Sequence, residues 1–138
     1  LVGHLAARNY FQSVDSDSNA KFIAAFKAKF GEDRVTDDPI EAASFGVYVW
    51  AAAAEKAGSF DVDLVREAVY GMEFDAPGGP KKMHESNQHT LKPVYIGEIL
   101  ADGQFRIVHK SDGLVSPDSY SSYLHANGKY PAPTGGPK

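Results

Sequence analysis

The sequence has no cysteine among its 138 residues. This absence excludes disulfide bonds, catalysis by a thiolate and zinc sites built on cysteine. It leaves the redox compartment open, because a cysteine-free chain suits both the cytosol and the bacterial periplasm.

Basic clusters are missing as well. Lysine and arginine number 14 against 18 aspartates and glutamates, which gives a formal net charge of −4 and a sequence pI of about 5.7. A protein that neutralises phosphates needs a basic patch or stripe, so this balance excludes nucleic acid as a partner.

No apolar run is long enough to cross a membrane. The longest lies around residues 47–54, and Tyr48 interrupts it. A membrane span needs roughly 20 apolar residues. Hydrophobic residues make up 43% of the chain and charged residues 23%, which is typical of one folded globular protein.

Catalytic and metal-binding motifs fail on their spacing. Residues 84–89, His-Glu-Ser-Asn-Gln-His, resemble a zinc-protease helix, but three residues instead of two separate Glu85 from His89. Positions i and i+5 do not share a helix face, so we predict a polar loop there. The chain also lacks a nucleophile elbow. We therefore predict a non-enzymatic protein with no catalytic residues, no metal site and no cofactor.

Two further strings have simpler interpretations than ligand binding. Asp15, Asp17 and Asn19 begin like a calcium loop, but the mid-loop glycine is absent and the twelfth position is Phe26. Helix capping explains the same residues better. The glycine-rich stretch at residues 77–80 lacks the Lys-Ser/Thr pair of a phosphate loop.

The first half of the chain predicts one strand and two helices. The strand covers residues 2–11, although residues 5–7 are also compatible with a helix. A helix follows the capping run, with Gly31 as its left-handed cap. The second helix begins at Asp38, with Pro39 in its first turn and Glu41 completing a capping box. It runs to Ala57 and is apolar on nearly every side, so we expect it to be buried between layers.

A third helix and a hairpin complete the pattern. Asp61 or Asp63 opens the helix, which turns Leu64 and its apolar neighbours inward. The hairpin joins residues 94–100 to residues 105–108 around Asp102-Gly103, a pair that accepts positive φ in a tight turn. Three helices face only about three strands, whereas sheets in α/β folds usually have five or six. Either another chain completes the sheet or this chain is a piece of a larger protein.

Four blocks of the sequence carry a family resemblance. They are residues 9–15 (Asn-Tyr-Phe-Gln-Ser-Val-Asp), 37–43 (Asp-Asp-Pro-Ile-Glu-Ala-Ala), 74–80 (Phe-Asp-Ala-Pro-Gly-Gly-Pro) and 87–99, which runs from Asn-Gln-His-Thr to Pro-Val-Tyr-Ile-Gly-Glu-Ile. In this order they resemble the C-terminal part of the urea and short-chain-amide binding proteins. Those proteins are ABC-transporter solute receptors of the branched-chain-amino-acid type.

The resemblance implies a C-terminal fragment of a two-lobed type I periplasmic-binding-protein fold, of class α/β. Residues 1–14 would form a strand and crossover of the second lobe, and residues 15–74 the helical part of the first lobe. Residues 75–110 would cross back and add the hairpin to the second lobe. The composition shifts to serine, proline, glycine and tyrosine beyond residue 111, so we predict a C-terminal extension over residues 111–138. Residues 131–138 have no periodicity, and we expect them to be frayed.

The implied chemistry is recognition without reaction. Tyr10 at the crossover, together with Asp38 and Glu41 at the turn that opens the second helix, would contact the ligand. The capping box is the alternative role for Asp38 and Glu41. Ser44 stands where these receptors tend to carry Tyr, so the cleft wall differs there.

The resemblance also implies partners. They are a small neutral solute such as urea or an amide, with an amino acid as the alternative, the N-terminal part of the same protein, and an ABC permease. Open strand edges favour a homo-oligomer. The expected location is the bacterial periplasm. The alternatives are a cytoplasmic amide-sensing regulator of the same fold, a branched-chain amino acid binding protein and, least favoured, a small enzyme.

Overall fold

Two three-stranded antiparallel sheets and three helices make up residues 1–118, the part of the chain that this computed structural model describes. In chain order the elements are β1 (Leu5–Arg8), α1 (Asp17–Phe30), α2 (Asp38–Ala57), α3 (Val62–Ala68), β2 (Glu73–Ala76), β3 (Gly79–Met83), β4 (Thr90–Leu91), β5 (Tyr95–Ile99) and β6 (Phe105–Lys110). The predicted α/β class, with a strand, three helices and an antiparallel hairpin, is confirmed.

The first sheet has the order β1-β5-β6. The predicted hairpin forms β5 and β6, with Ile99 opposite Phe105. Gly103 has φ 81° in the turn, as the Asp-Gly pair predicts. The N-terminal strand pairs with β5, from Leu5 opposite Glu98 to Arg8 opposite Tyr95. This strand ends at Arg8 and not near Phe11, since Tyr10 and Phe11 leave the sheet to enter the core.

The second sheet, β2-β3-β4, was not predicted from the sequence. Glu73 pairs with Lys82 and Ala76 with Gly79, so the Pro77-Gly78 step is a tight hairpin connection. The strands are short and rich in glycine, proline and charge, which are all depleted in strands. Local propensity therefore predicts a turn and a loop there, and only the pairing makes strands. Residues 84–89 do form a loop, as predicted.

Helix ends agree with the sequence at some positions and not at others. Asp61 caps α3 through Asp63 N and Leu64 N, and Gly58 closes α2 in the left-handed conformation. Asp37, not Asp38, caps α2 by accepting from Ile40 N. The capping-box prediction is therefore wrong, because the cap lies one residue earlier and Glu41 bonds elsewhere. Gly31 closes α1 with φ 119° and ψ 147°, a positive-φ conformation that favours glycine but lies outside the left-handed helical region.

Two clusters of buried apolar side chains form the core of the described residues. One consists of Tyr10, Phe11, Val14 and Tyr95 beside the first sheet. The other consists of Ala53, Val69 and Met83, between α2, α3 and the second sheet. Leu64 is exposed, so its inward prediction is wrong.

Helix α2 is not covered on all sides within this chain. Its buried residues are Glu41, Phe45, Ala53 and Ala54. Tyr48 is 70% exposed and Trp50 is 53% exposed, and the Trp50 ring stacks on exposed Phe60 at 5.9 Å. Within residues 1–118 the rest of the chain covers only part of the helix surface, so burial between layers stays a prediction.

The division into lobes stays a prediction. The β2–β3 hairpin spans the predicted boundary between residues 74 and 75. Residues 111–118 are described, and Val115 forms a bridge with Lys92. The predicted frayed end at residues 131–138 lies outside the described residues.

Candidate functional site

Tyr10 lies two residues after the end of β1 at Arg8, and its side chain is fully buried, with 0% exposed. Its hydroxyl donates to Asn19 Oδ1 at 2.9 Å and lies 2.6 Å from Thr36 Oγ1. Burial raises the pKa of Tyr10 to about 12, against a smaller lowering by the hydrogen bond with Thr36. Tyr10 thus joins the end of β1 to α1 and to the segment before α2.

Glu41 lies in the first turn of α2 and is 1% exposed. Its two carboxylate oxygens accept hydrogen bonds from Lys81 Nζ at 2.5 and 2.6 Å, and Oε1 also accepts from Gly78 N at 3.2 Å. Charges are tolerated in an interior only when they are paired and hydrogen-bonded. The ion pair therefore explains why a glutamate can occupy this position.

Lys81 completes the buried pair from strand β3 and is likewise 1% exposed. Its ammonium lies 4.3 Å from the centre of the Phe45 ring, a cation–π contact. Burial lowers the pKa of Lys81, while the hydrogen bond and the charge of Glu41 act in the opposite direction. Sequence analysis missed this residue. Had β3 been recognised, its alternation would have placed Lys81 on the same face as buried Met83.

The Pro77-Gly78 connection lies between α2 and the first sheet. Gly78 donates its N–H to Glu41, and its carbonyl accepts from the Tyr95 hydroxyl at 3.0 Å. A Cβ at Gly78 would lie only 3.0 Å from Asn9 O and 3.3 Å from Glu41 Oε1. We call Glu41, Gly78, Lys81 and Tyr95 the junction, since they tie the first turn of α2 and the second sheet to β5.

Asp38, the third predicted ligand residue, lies at the start of α2 and is partly buried. Burial raises the pKa of Asp38, and the charges of Lys92 and Arg8 oppose that shift. No ion pair within residues 1–118 includes Asp38, Arg8 or Lys92. The three predicted ligand residues therefore differ in whether their polar atoms have partners within the described residues. The polar atoms of Tyr10 and Glu41 are bonded inside the chain, while Asp38 keeps its carboxylate oxygens unengaged.

A polar cavity of about 520 Å³ lies beside the end of β1. Its wall comes from Asn9, from the loop before β4, from Lys92 and from the segment after β6. We call it the Lys92 cavity. The lining residues are Asn9, Asn87, Gln88, His89, Thr90, Lys92, Val94, Val115, Ser116 and Pro117.

A second cavity of about 400 Å³ lies between α1, α2 and β2. Aromatic side chains dominate its wall, among them Phe22, Phe45, Tyr48 and Phe74. Ser44 also lines it, so the position where the resemblance expects a tyrosine faces this cavity.

The remaining motifs have structural roles. Ser16 caps α1, and the Asn19 amide donates to the carbonyls of Gln12 and Val14, so the acidic run works as a helix start. Within residues 1–118 no group of three or more histidine and acidic side chains is placed to hold a metal ion. No helix of that same part of the chain is long and apolar enough to cross a bilayer.

Comparison with known proteins identifies the family. The family model described as "Periplasmic binding protein domain" matches residues 1–126. The chain is 32% identical over 111 residues to a protein of Geobacillus stearothermophilus named limonene hydroxylase. This match covers 80% of this chain and 20% of that protein. It is 29% identical over 99 residues to Leu/Ile/Val-binding protein homolog 6 of Brucella abortus (strain 2308), covering 71% and 25%.

A solved structure extends the comparison to the fold. It is a solute-binding protein of an ABC transporter from Rhodopseudomonas palustris HaA2, in complex with p-hydroxybenzoic acid. It superposes with a TM-score of 0.70 at 28% identity, covering 80% of this chain and 31% of that one. The chain therefore spans between a fifth and a third of the length of these proteins. The match over most of the chain, with the same fold, shows that this chain belongs to the periplasmic binding protein domain family.

Proposed function

We propose that this chain is the C-terminal part of the solute-binding component of an ABC importer, which captures a small solute and delivers it to a permease. The observation that carries the proposal is the family match over residues 1–126, with ABC solute-binding proteins among the relatives. In such a receptor the solute binds without any covalent bond being made or broken. The protein acts in the periplasm, and a cytoplasmic regulator of the same fold is the alternative.

The lobes are assigned as the sequence predicts. Residues 1–14 and 75–110 contribute to one lobe, which the pairing of β1 with β5 supports. Residues 15–74 contribute helices to the other lobe. The junction lies where the two parts meet and supports a hinge at this place, because α2 and β5 are joined there through Gly78. The rest of each lobe comes from the N-terminal part of the receptor.

The solute is proposed to be a small carboxylic acid, either aromatic or a branched-chain amino acid. Two of the relatives carry names that mention Leu/Ile/Val and p-hydroxybenzoic acid. Asp38 is the candidate ligand residue with its carboxylate unengaged, near Arg8 and Lys92. Tyr10 and Glu41 stay predicted cleft residues, and a contact with solute would require them to exchange their present partners.

Urea or a short-chain amide is the second candidate. The observation that favours it is the set of sequence blocks at residues 9–15, 37–43 and 74–80. The names of the relatives reported above do not mention urea or amides.

An exposed Trp50 and open sheet edges support a further proposal, that the isolated chain associates with another copy.

The hydroxylase name of one relative does not alter the proposal. The matched region is 20% of that protein, so its named activity belongs to a polypeptide five times longer than the match. The same region matches a binding-protein family in this chain.

Isothermal titration calorimetry on the longest polypeptide that the gene encodes tests the proposal. The ligands are 4-hydroxybenzoate, leucine, urea and acetamide. We expect saturable heat from one of the carboxylates, with the solute recovered unchanged by mass spectrometry. Binding of urea but neither carboxylate would select the second candidate. Chemical conversion of a bound solute, or no binding of any of the four, would contradict the proposal.

A further inference from the structure

The cavity between α1, α2 and β2, which we call the aromatic cavity, has walls made largely of rings. Phe22 of α1, Phe45 and Tyr48 of α2 and Phe74 of β2 line it. Its volume of about 400 Å³ lies within the roughly 300–1,000 Å³ range of small-molecule sites. Water satisfies a polar wall but not an aromatic one, because contact between apolar surface and water is unfavourable. An apolar group that replaces the water between these rings is therefore favoured.

Two of the rings are held in place by residues that do not line the cavity. The Phe45 ring contacts the Lys81 ammonium at 4.3 Å, and it meets Phe74 edge-on with 5.4 Å between ring centres. The Phe22 ring meets buried Tyr10 edge-on at 6.1 Å. A cavity persists where its surroundings are unable to collapse into it. The space between the rings is therefore pre-formed.

The side of α2 that faces the cavity carries polar residues. Ser44 and Tyr48 line the cavity, and Glu55 lies on the same side of the helix, at the spacing i, i+4 and i+11. The side with Val47 and Trp50 is exposed and apolar. A polar helix side is typical of contact with water, and an apolar one of contact with protein. In the proposed receptor we therefore expect further polypeptide to cover the Val47 side and to leave the cavity open.

The two charged residues of the cavity wall have opposite signs. They are Lys21 and Asp75, which are exposed and form no ion pair within residues 1–118. A protein partner seated over the cavity would have to bury both charges, which is costly, whereas a small ligand between the rings leaves them in water. Because the two charges cancel, the wall gives no preference for an anion or a cation.

We propose that the aromatic cavity binds an uncharged compound with a single aromatic ring, which packs against Phe22, Phe45 and Tyr48. This site goes beyond the proposed function, because its ligand is not the transported solute. An engineered apolar cavity of roughly 150 Å³ binds benzene, and ring-to-ring contacts add to the effect of burial. A carboxylate on the ring would lose water without gaining a partner among these side chains.

The test compares benzyl alcohol with benzoate, which have nearly the same shape and differ in charge. The full 138-residue chain, labelled with ¹⁵N, is titrated with each at constant ionic strength. We expect benzyl alcohol to shift the backbone amides of Ser44, Phe45 and Ala76 with a dissociation constant of about 1 mM, the order expected for so small a ligand. Benzoate should bind at these residues at least about tenfold more weakly.

Two pairs of variants locate the ligand. S44F places a ring in the cavity and should weaken benzyl alcohol binding by about tenfold or more. A43F places the same ring at the neighbouring exposed position and should bind like the wild type. Y48S removes a 70% exposed ring from the cavity wall, which leaves the fold intact, and should weaken binding by about threefold or more. W50S removes an exposed ring from the apolar side of α2 and should leave binding unchanged.

Several results would overturn the site. They are equal affinity of these amides for the two probes, equal binding by S44F and A43F, and equal binding by Y48S and W50S. The longest polypeptide that the gene encodes is then titrated with 4-fluorobenzyl alcohol and followed by ¹⁹F NMR. We expect saturable binding that Y48S weakens. Its absence would mean that another part of the receptor fills the cavity, and would overturn the proposal.

These outcomes are separate from those of the proposed function. A polypeptide that captures no solute in calorimetry but binds benzyl alcohol through Tyr48 would keep the aromatic site and remove the receptor proposal. A polypeptide that captures its solute but fails to bind benzyl alcohol would keep the receptor proposal and remove the aromatic site.

Discussion

The carboxylate of Glu41 and the ammonium of Lys81, forty residues apart in the chain, form a buried ion pair with N–O distances of 2.5 and 2.6 Å. The pair links the first turn of α2 to β3. It also holds the Gly78 connection, which in turn contacts Tyr95. The relative placement of α2 and the second sheet therefore depends on two charges that are costly to bury separately.

The first prediction concerns the cost of breaking this pair. K81M leaves Glu41 buried with Gly78 N as its remaining partner, and the free energy of unfolding should fall by about 3–5 kcal/mol. K82M, at the next position of β3, removes a lysine whose ion pairs with Glu73 and Glu85 are largely exposed, and should lower stability far less than K81M does. Urea denaturation followed by circular dichroism measures both.

A double variant shows whether the loss comes from the unpaired charge. E41L together with K81M removes both charges from the junction and should recover most of the stability that K81M loses. Equal stability losses in K81M and K82M would mean that the pair does not hold α2 in place.

The second prediction is an alkaline effect from Tyr10. Because burial raises its folded pKa from 10.0 to about 12, the folded state retains the phenolic proton that the unfolded state loses. The stability from this group is complete below pH 10 and is lost as pH rises through about 12, by roughly 3 kcal/mol in total.

Y10F removes this titration together with the hydroxyl contacts to Asn19 and Thr36. The variant should be less stable at neutral pH by about 1–2 kcal/mol, and its deficit should shrink as pH rises from 10 to 12. Denaturation at a series of pH values measures the difference between the two proteins. A deficit that stays constant over this range would contradict the raised pKa.

The third prediction contrasts two glycine-to-alanine changes. G78A forces a Cβ to within 3.0 Å of Asn9 O and 3.3 Å of Glu41 Oε1, and should destabilise the protein by about 1–3 kcal/mol. Gly46 lies inside α2 with nothing within 4 Å of an added Cβ. G46A should therefore stabilise the protein by up to about 1 kcal/mol, through helix propensity. If the two melting temperatures shift in the same direction, the close approach at Gly78 is not what the structure indicates.

The fourth prediction concerns the charges near Asp38. Its carboxyl pKa should be above the ordinary value of 3.8, since burial dominates, and K92Q should raise it further by removing the cation that opposes the shift. Carboxyl ¹³C titration by NMR reports both values. K29Q, which lacks a contact with Asp38, is the matched control and should leave the pKa unchanged. An unchanged pKa in K92Q would place Lys92 away from Asp38.

Much of the fold follows from local sequence signals. Asp102-Gly103 predicts the β5–β6 hairpin because a tight turn needs positive φ, and Gly103 has it. The helix ends at Asp61 and Gly58 also follow from local signals. The Asp61 side chain caps the N–H groups that begin α3, and Gly58 tolerates the left-handed conformation that ends α2. Two adjacent aspartates before Pro39 offer two equivalent caps, and the local signal selects the wrong one.

Local signals predict neither the second sheet nor the bonding partner of Glu41. Residues 73–83 carry little strand propensity, so their pairing depends on packing against α2 and α3. Glu41 fits a capping box by spacing alone. A buried lysine forty residues later competes for the same carboxylate, and the low polarity of the interior makes that partner the stronger one.

By itself the sequence determined the α/β class, the three helices and the hairpin, because caps, turns and periodicity are set by neighbouring residues. Only the tertiary structure decided which of Tyr10, Asp38 and Glu41 keeps its polar atoms unengaged, and that Lys92 faces a cavity while Lys81 is buried. Two lysines in one segment have the same local chemistry. Their different environments arise from which distant elements pack against each of them.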